Sequence, residues 1–358
     1  MKKWPLLALT AAALLLGGPV SAANDGKVES GLERTAIGML AGKLEPGQFA
    51  VLKSTLPAGY ERFYDFLRVQ VEDGRRLEID GWSDAADWDP KRGKLFFLGK
   101  RKHKKFISYD ARTNAWEELG WAGDPPPQYE KFGRPYGRSA LDWEHGHYYH
   151  LSLVDGRAKG LYRYLIDERR WERMPDLPSG GSTSVASMSM AWHRGLGKLV
   201  LLDRTGRGHQ LWAFDGKAWS KLGLSNAEGH HSQMQYNEKR GDLLIAGGSK
   251  SKRKMDLLTA DGTLKPLPDA PFDMTIRNSD LTYDPQSGNY LYMRQEKKEL
   301  WELDPKTWLW EKVATWTDES WPFGQFGYLV PAQIDQLGVV FWLHQRSPQL
   351  YRHRPRQP

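Results

Sequence analysis

Tyr109-Asp110-Ala111-Arg112-Thr113-Asn114-Ala115-Trp116-Glu117-Glu118-Leu119 is a phrase that this chain repeats. It returns as Leu211-Trp212-Ala213-Phe214-Asp215-Gly216-Lys217-Ala218-Trp219-Ser220-Lys221-Leu222. It returns again as Leu300-Trp301-Glu302-Leu303-Asp304-Pro305-Lys306-Thr307-Trp308-Leu309-Trp310-Glu311-Lys312-Val313. Self-similarity at a period of tens of residues marks a repeat architecture. The Trp residues that close the phrase are 55 apart (Trp116 to Trp171), then 48 (Trp171 to Trp219), then 91 (Trp219 to Trp310). The last interval is two periods, with Leu264 standing where the intervening Trp would be.

Around each phrase the sequence reads as four short strands. In the first unit Ala85 to Asp89 ends an inner strand, Pro90 to Gly93 is a turn, and Lys94 to Gly99 is an apolar run. Such a run, bounded by turn signals, is expected of a strand buried on both faces. Phe106 to Asp110 and Trp116 to Leu119 follow as the third and fourth strands. Later units start at Leu141-Asp142-Trp143, Met190-Ala191-Trp192, Met234-Gln235-Tyr236 and Leu281-Thr282-Tyr283, and the sixth at Phe326 to Asp335. The sixth runs out after three strands, near Gln349 to Arg352. Phe49-Ala50-Val51-Leu52 carries the aromatic-x-x-apolar spacing of Trp116 to Leu119, so it supplies the missing outer strand. A ring left open would expose an unpaired edge. The expected fold is all-β: a six-bladed propeller whose last blade is closed by an N-terminal strand.

The unit resembles the kelch repeat of kelch and galactose-oxidase-like propellers, most closely at Tyr109-Asp110 to Trp116. The kelch glycine doublet after the second strand stands out once, at Gly247-Gly248. The resemblance covers roughly residues 81 to 354 plus the N-terminal strand and implies a kelch-type β-propeller. One fold hosts many chemistries, so it implies little about activity. The copper site of galactose oxidase uses a Tyr cross-linked to a Cys. This chain has no Cys, so that cofactor is excluded, and no other cofactor or metal is expected.

Lys2 and Lys3, the apolar run Pro5 to Leu16, and Val20-Ser21-Ala22 read as a secretory signal peptide spanning 1–22, cleaved after Ala22 or Ala23. The expected location is the periplasm or the exterior. No Cys near the cleavage point offers a lipid anchor, and no later run reaches the ~18 apolar residues of a membrane helix. Residues 23–46 form an N-terminal segment in which Val28 to Leu44 has helix-like apolar spacing, and 47–358 form a single propeller domain. Arg68 to Asp80, with Asp73-Gly74 at its middle, reads as an inserted hairpin. Losing Lys2 and Lys3 leaves 49 Lys and Arg against 44 Asp and Glu, a net +5. Two basic clusters, Lys100 to Lys105 and Lys250 to Lys254, fall where hairpin turns belong: solvated turns, or a surface for an anionic envelope ligand. An exported chain argues against nucleic acid as a partner. With no disulfide to support it, the fold relies on its core, for which 16 Trp, 15 Tyr and 12 Phe provide material.

Loops entering the inner strands shape one mouth of a propeller channel, a common ligand site. With the units aligned on Trp88, Trp143, Trp192, Tyr236, Tyr283 and Ile334, the residues five to seven positions earlier approach that mouth. They include Trp82, Ser83, Tyr136, Arg138, Ser187, His230, His231, Arg277, Asn278 and Tyr328. Aromatic faces stack on sugar rings and Arg forks hold carboxylates, so the set reads as a funnel for a glycan or anionic ligand. Mutual pairing and channel water are the alternative. In Glu228-Gly229-His230-His231-Ser232-Gln233, adjacent His on a strand point to opposite faces, which argues against a shared metal. Either His230 alone or Tyr136 can serve as a base, with Arg277 neutralising a uronate, as a polysaccharide lyase requires. A sugar mutarotase is a precedent among kelch-type propellers. The acids near this mouth form no paired motif of a glycosidase. Three functions are therefore compatible with the sequence: glycan binding, carbohydrate chemistry, and a protein-interaction scaffold using blade edges and basic turns.

Overall fold

A computed structural model describes residues 31–70, 74, 76–81, 86–99, 105–120, 139–154, 157–177, 188–205, 208–228, 230–276, 279–324 and 327–355. Gly31–Pro358 forms one compact unit. Its six antiparallel four-stranded sheets are blades of a β-propeller. Blade 1 runs from the channel outward as Asp87–Asp89, Lys94–Gly99, Lys105–Asp110 and Ala115–Glu118. The inner strands of blades 2 to 6 are Ser139–Asp142, Met188–His193, Ser232–Asn237, Ser279–Tyr283 and Leu329–Ile334. Each neighbours the next around the ring, and the sixth neighbours the first.

The repeated phrase has a structural reason at each of its ends. Its Asp caps the turn between the third and outer strands. Asp110 Oδ1 accepts the backbone N–H of Arg112, and Asp215 Oδ1 accepts those of Lys217 and Ala218. Where present, its Trp seals a blade against the one before it. Trp171 of blade 2 packs on Phe106 of blade 1, Trp116 of blade 1 on Phe341 of blade 6, and the Trp310 indole lies on Met255 of blade 4. Large aromatics bury the most apolar area per residue, which suits a wedge between splayed sheets.

Blade 6 is completed as expected. Phe49–Val51 pairs antiparallel with Gln349–Tyr351, with Ala50 opposite Leu350. The same segment then crosses to blade 1. Thr55 exchanges backbone hydrogen bonds with Asn114 and Trp116, and the Trp116 indole donates to Ser54 Oγ at 2.9 Å. One stretch of chain thus fastens the first blade to the last.

The glycine doublet is required by close approach. A Cβ on Gly247 would lie 2.0 Å from the Met274 carbonyl oxygen, and one on Gly248 would lie 2.5 Å from Glu228 Cβ. Arg68–Gln70 pairs with Arg76–Glu78 as a separate hairpin, so the blade count stays at six. Among the described residues of the N-terminal segment, helical structure is a 3-10 turn at Leu32–Arg34 and a helix at Ala36–Gly42 capped by Thr35; 23–30 lie outside the described residues.

The second basic cluster is an exposed turn at Lys252 to Lys254, as expected, whereas the first departs from that expectation at its end. Lys105 is buried in the third strand of blade 1. Its Nζ donates to the Phe66 carbonyl at 2.7 Å and the Tyr60 hydroxyl at 3.0 Å, with Glu118 at 3.2 Å. A lysine is rarely buried without such partners. Lys100 to Lys104 lie outside the described residues. In the second cluster Lys252 and Arg253 pair with Asp273, and Lys254 with Asp269, which lowers its local net charge. No helix among the described residues is long and apolar enough to cross a membrane.

Candidate channel-mouth site

Each inner strand passes to its neighbour through a turn of one design. A residue at the strand end is followed, four positions later, by a glycine in the left-handed region. The pairs are Asp89 and Gly93, Asp142 and Gly146, His193 and Gly197, Asn237 and Gly241, Asp284 and Gly288, and Ile334 and Gly338. In the first five the side chain accepts a backbone N–H of the turn, as an Asx turn does. Glycine accepts the positive φ at no steric cost.

This frame corrects the alignment made from sequence. Residues just before the capping position are Trp88, Leu141, Trp192, Tyr236, Tyr283 and Gln333. Trp143 stands two positions later than assumed, on the turn itself, and Ile334 one position later. The strand registers require it: Leu141 lies opposite Tyr148, and Gln333 opposite Val340.

All six of these residues line one cavity of about 290 Å³ at the turn end of the channel. Turn residues Pro90, Trp143, Arg194, Glu238, Asp335 and Gln336 form its rim. Five aromatic rings therefore face a single space. Deeper in, Gln235 of blade 4 and Gln333 of blade 6 exchange amide hydrogen bonds of 3.1 and 3.3 Å. Gln333 also donates to Thr282 Oγ1 of blade 5 at 2.6 Å. These amides tie three inner strands together across the channel.

The rim is held by bonds between blades. Trp143 Nε1 donates to Glu238 Oε1 at 3.2 Å, and Trp88 Nε1 to Gln336 Oε1 at 2.9 Å. Arg194 bridges Glu144 and Glu238 at 3.1 Å each, and its guanidinium lies 4.7 Å over the Trp143 ring. Tyr236 Oη accepts the Gly195 N–H at 3.1 Å, and Tyr283 Oη donates to Asp335 Oδ2 at 2.7 Å. Burial pushes the Asp335 carboxyl up to about 6, against the bond from Tyr283 and with help from Glu238. Burial likewise pushes Tyr236 up to about 12, so it stays a neutral hydroxyl.

Of the residues expected from sequence at the entering loops, three are described, and they lie toward the other end: His230, His231 and Tyr328. Trp82, Ser83, Tyr136, Arg138, Ser187, Arg277 and Asn278 lie outside the described residues. His230, His231 and Tyr328 are half-buried. His231 has φ 65° and precedes the strand Ser232–Asn237. The two imidazoles therefore do not split across a sheet as expected: they lie with their rings tilted by 32° and centroids 3.8 Å apart, and both Nδ1 atoms reach Ser249 Oγ, at 3.2 Å for His230 and 2.7 Å for His231. Buried Glu228 accepts the Lys250 N–H beside them. Tyr328 packs its ring over Gly81. His145 and His147, the other histidine pair, both face Asp142, at 2.8 and 3.7 Å.

Sequence reasoning missed Arg194, Gln235, Glu238, Gln333 and Asp335. The signal that finds them is the cap-to-glycine spacing, which sets every inner strand in register independently of its aromatic residues.

No family model and no curated protein matches this chain. Among solved structures, it is similar to a protein of unknown function from Bacteroides thetaiotaomicron VPI-5482, with TM-score 0.52 and 12% identity over 85% of this chain and 75% of that one. It also aligns with a chain of a Nidogen/Laminin complex, with TM-score 0.47 and 12% identity over 68% of this chain and 84% of that one. Likeness at this identity concerns the fold, which does not carry function with it.

Proposed function

We propose that this chain is an exported, kelch-type propeller that binds a glycan in the aromatic cavity at the turn end of its channel. The observation that carries this reading is the convergence of five aromatic rings with amides and carboxylates on one space of about 290 Å³. Aromatic faces stack on the C–H faces of sugars. Amides and carboxylates match the donor and acceptor pairs of neighbouring hydroxyls. The volume stands at the lower edge of the ~300–1,000 Å³ range of small-molecule sites, enough for a terminal sugar or a short segment. Export rests on Lys2-Lys3, Pro5 to Leu16 and Val20-Ser21-Ala22, and kinship with kelch repeats on the phrase ending at Trp116. An anionic ligand is less well served here: Arg194, the one cation among the described lining residues, already bridges two carboxylates.

Titration calorimetry with neutral and acidic oligosaccharides tests this. Trp192→Ala is expected to weaken binding tenfold or more, a loss of about 1.4 kcal/mol. His230→Ala and Tyr328→Ala, toward the other end, should leave affinity unchanged. The reverse pattern would move the site to that end, and no binding to any glycan would overturn the reading.

One observation supports carbohydrate chemistry as a second reading. A carboxyl held near pKa 6 inside an aromatic cavity, as Asp335 is, suits a general acid or base. Product appearing with wild type and disappearing with Asp335→Asn, while affinity persists, would establish it.

A further inference from the structure

Three carboxylates, Asp87, Glu238 and Asp335, line the cavity with the single guanidinium of Arg194 among the described residues. Arg194 is already paired with Glu144 and Glu238. The nearby Lys239 is engaged too, its Nζ donating to the Gln286 carbonyl at 2.5 Å. Asp335 has one oxygen on the Tyr283 hydroxyl; its other oxygen, Oδ1, is buried and has no hydrogen-bond partner in the protein. The charged and titratable groups that act on it are Tyr283, Glu238, Lys239 and Asp284, acids outnumbering the one lysine.

Negative charge on an aromatic-walled space selects cations. Ring faces attract them within about 6 Å of the centroid, and acidic neighbours strengthen the attraction where water is excluded. The rim already contains one such contact, Arg194 over Trp143. From this we infer that the ligand group entering the cavity carries a protonated amine, so that the glycan recognised is an amino sugar left unacetylated. This rests on the glycan reading above and narrows it. The ring faces would hold the sugar face and the ammonium, and Asp335, with Glu238 behind it, would accept hydrogen bonds from the ammonium N–H groups.

The probes are a glucosamine trisaccharide, its fully N-acetylated counterpart, a cellulose trisaccharide and tetramethylammonium, each titrated calorimetrically into the full chain near pH 7. The glucosamine trisaccharide is expected to bind at least tenfold more tightly than both neutral trisaccharides, with an affinity that falls as salt is added. Asp335→Asn should abolish that preference while retaining the weaker neutral binding. Glu238→Gln, which removes one cavity charge, should reduce the preference without reversing it. Equal or tighter binding of the neutral trisaccharides overturns the inference and leaves the glycan reading standing. Tetramethylammonium binding with no trisaccharide binding keeps the cation preference and overturns the sugar. Binding of none of the four overturns both.

Discussion

Trp143 Nε1 donates to Glu238 Oε1 across 3.2 Å, joining the turn of blade 2 to the turn of blade 4 over the top of blade 3. Arg194, on the turn of blade 3, lies beneath that span with its guanidinium against both partners. Three turns that share no backbone hydrogen bonds are thereby held as one wall of the cavity. Glu238→Gln keeps an acceptor for Trp143 and loses the charge facing Arg194. Half-exposed pairs of this kind contribute up to about 1 kcal/mol. A double-mutant cycle of Trp143→Phe with Glu238→Ala, which removes the acceptor as well, read by urea unfolding, should return a coupling of roughly 0.5–1 kcal/mol. A coupling of zero would mean that the rim is not braced by this bond.

The outer-strand Trp wedges should dominate stability. Trp171 is 1% exposed and touches Phe106, His150 and Tyr164. Trp171→Ala is expected to cost about 3–5 kcal/mol, as large-to-small core changes do. Trp219 is less buried, with its indole donating to the Pro175 carbonyl, so Trp219→Ala should cost less. Equilibrium denaturation of the two variants checks the order.

A buried carboxyl should give stability a slope with pH. Asp80 is fully buried, and desolvation, only partly offset by its own backbone N–H and by Arg68, pushes its carboxyl up to about 7. An unfolded Asp titrates near 4. Between those values the native state binds a proton that the unfolded state has released, so stability falls as pH rises through the window and levels off above it. Asp80→Asn should therefore raise the melting temperature clearly at pH 8 and little at pH 4. Equal gains at both would show that Asp80 does not titrate in this way.

The staple between first and last blades can be weakened without touching either. Ser54→Ala removes the acceptor of the Trp116 indole and leaves that donor half-buried. A loss of about 1 kcal/mol is expected, typical of one such bond. Hydrogen exchange should quicken at Gln349–Tyr351, whose outer neighbour is Phe49–Val51. Unchanged protection there would mean that the strand is held by its own pairing alone.

The scaffold was legible because its determinants are local. The phrase around Trp116, Trp219 and Trp310 marks a turn and a wedge that any one blade needs, and the missing fourth strand of blade 6 pointed to Phe49 to Leu52. The cavity was less legible because it is assembled from residues as distant in sequence as Trp88 and Gln336, 248 positions apart. Aligning on aromatics misplaced Trp143, since an indole serves equally on a strand or on a turn. The cap at Asp142 and the glycine at Gly146 serve only one place each. Lys105 shows the opposite failure: it reads as solvated beside other lysines, and only the fold reveals the Phe66 carbonyl and the Tyr60 hydroxyl waiting for it.

Because Phe49–Val51 lies beside Gln349–Tyr351, the earliest strand of the ring to leave the ribosome must wait for the last. A product that stops before Gln349 retains a strand edge with nothing against it. Such an edge is what chaperones and proteases recognise. The seam thus orders assembly: the ring closes only once Gln349–Tyr351 has been made.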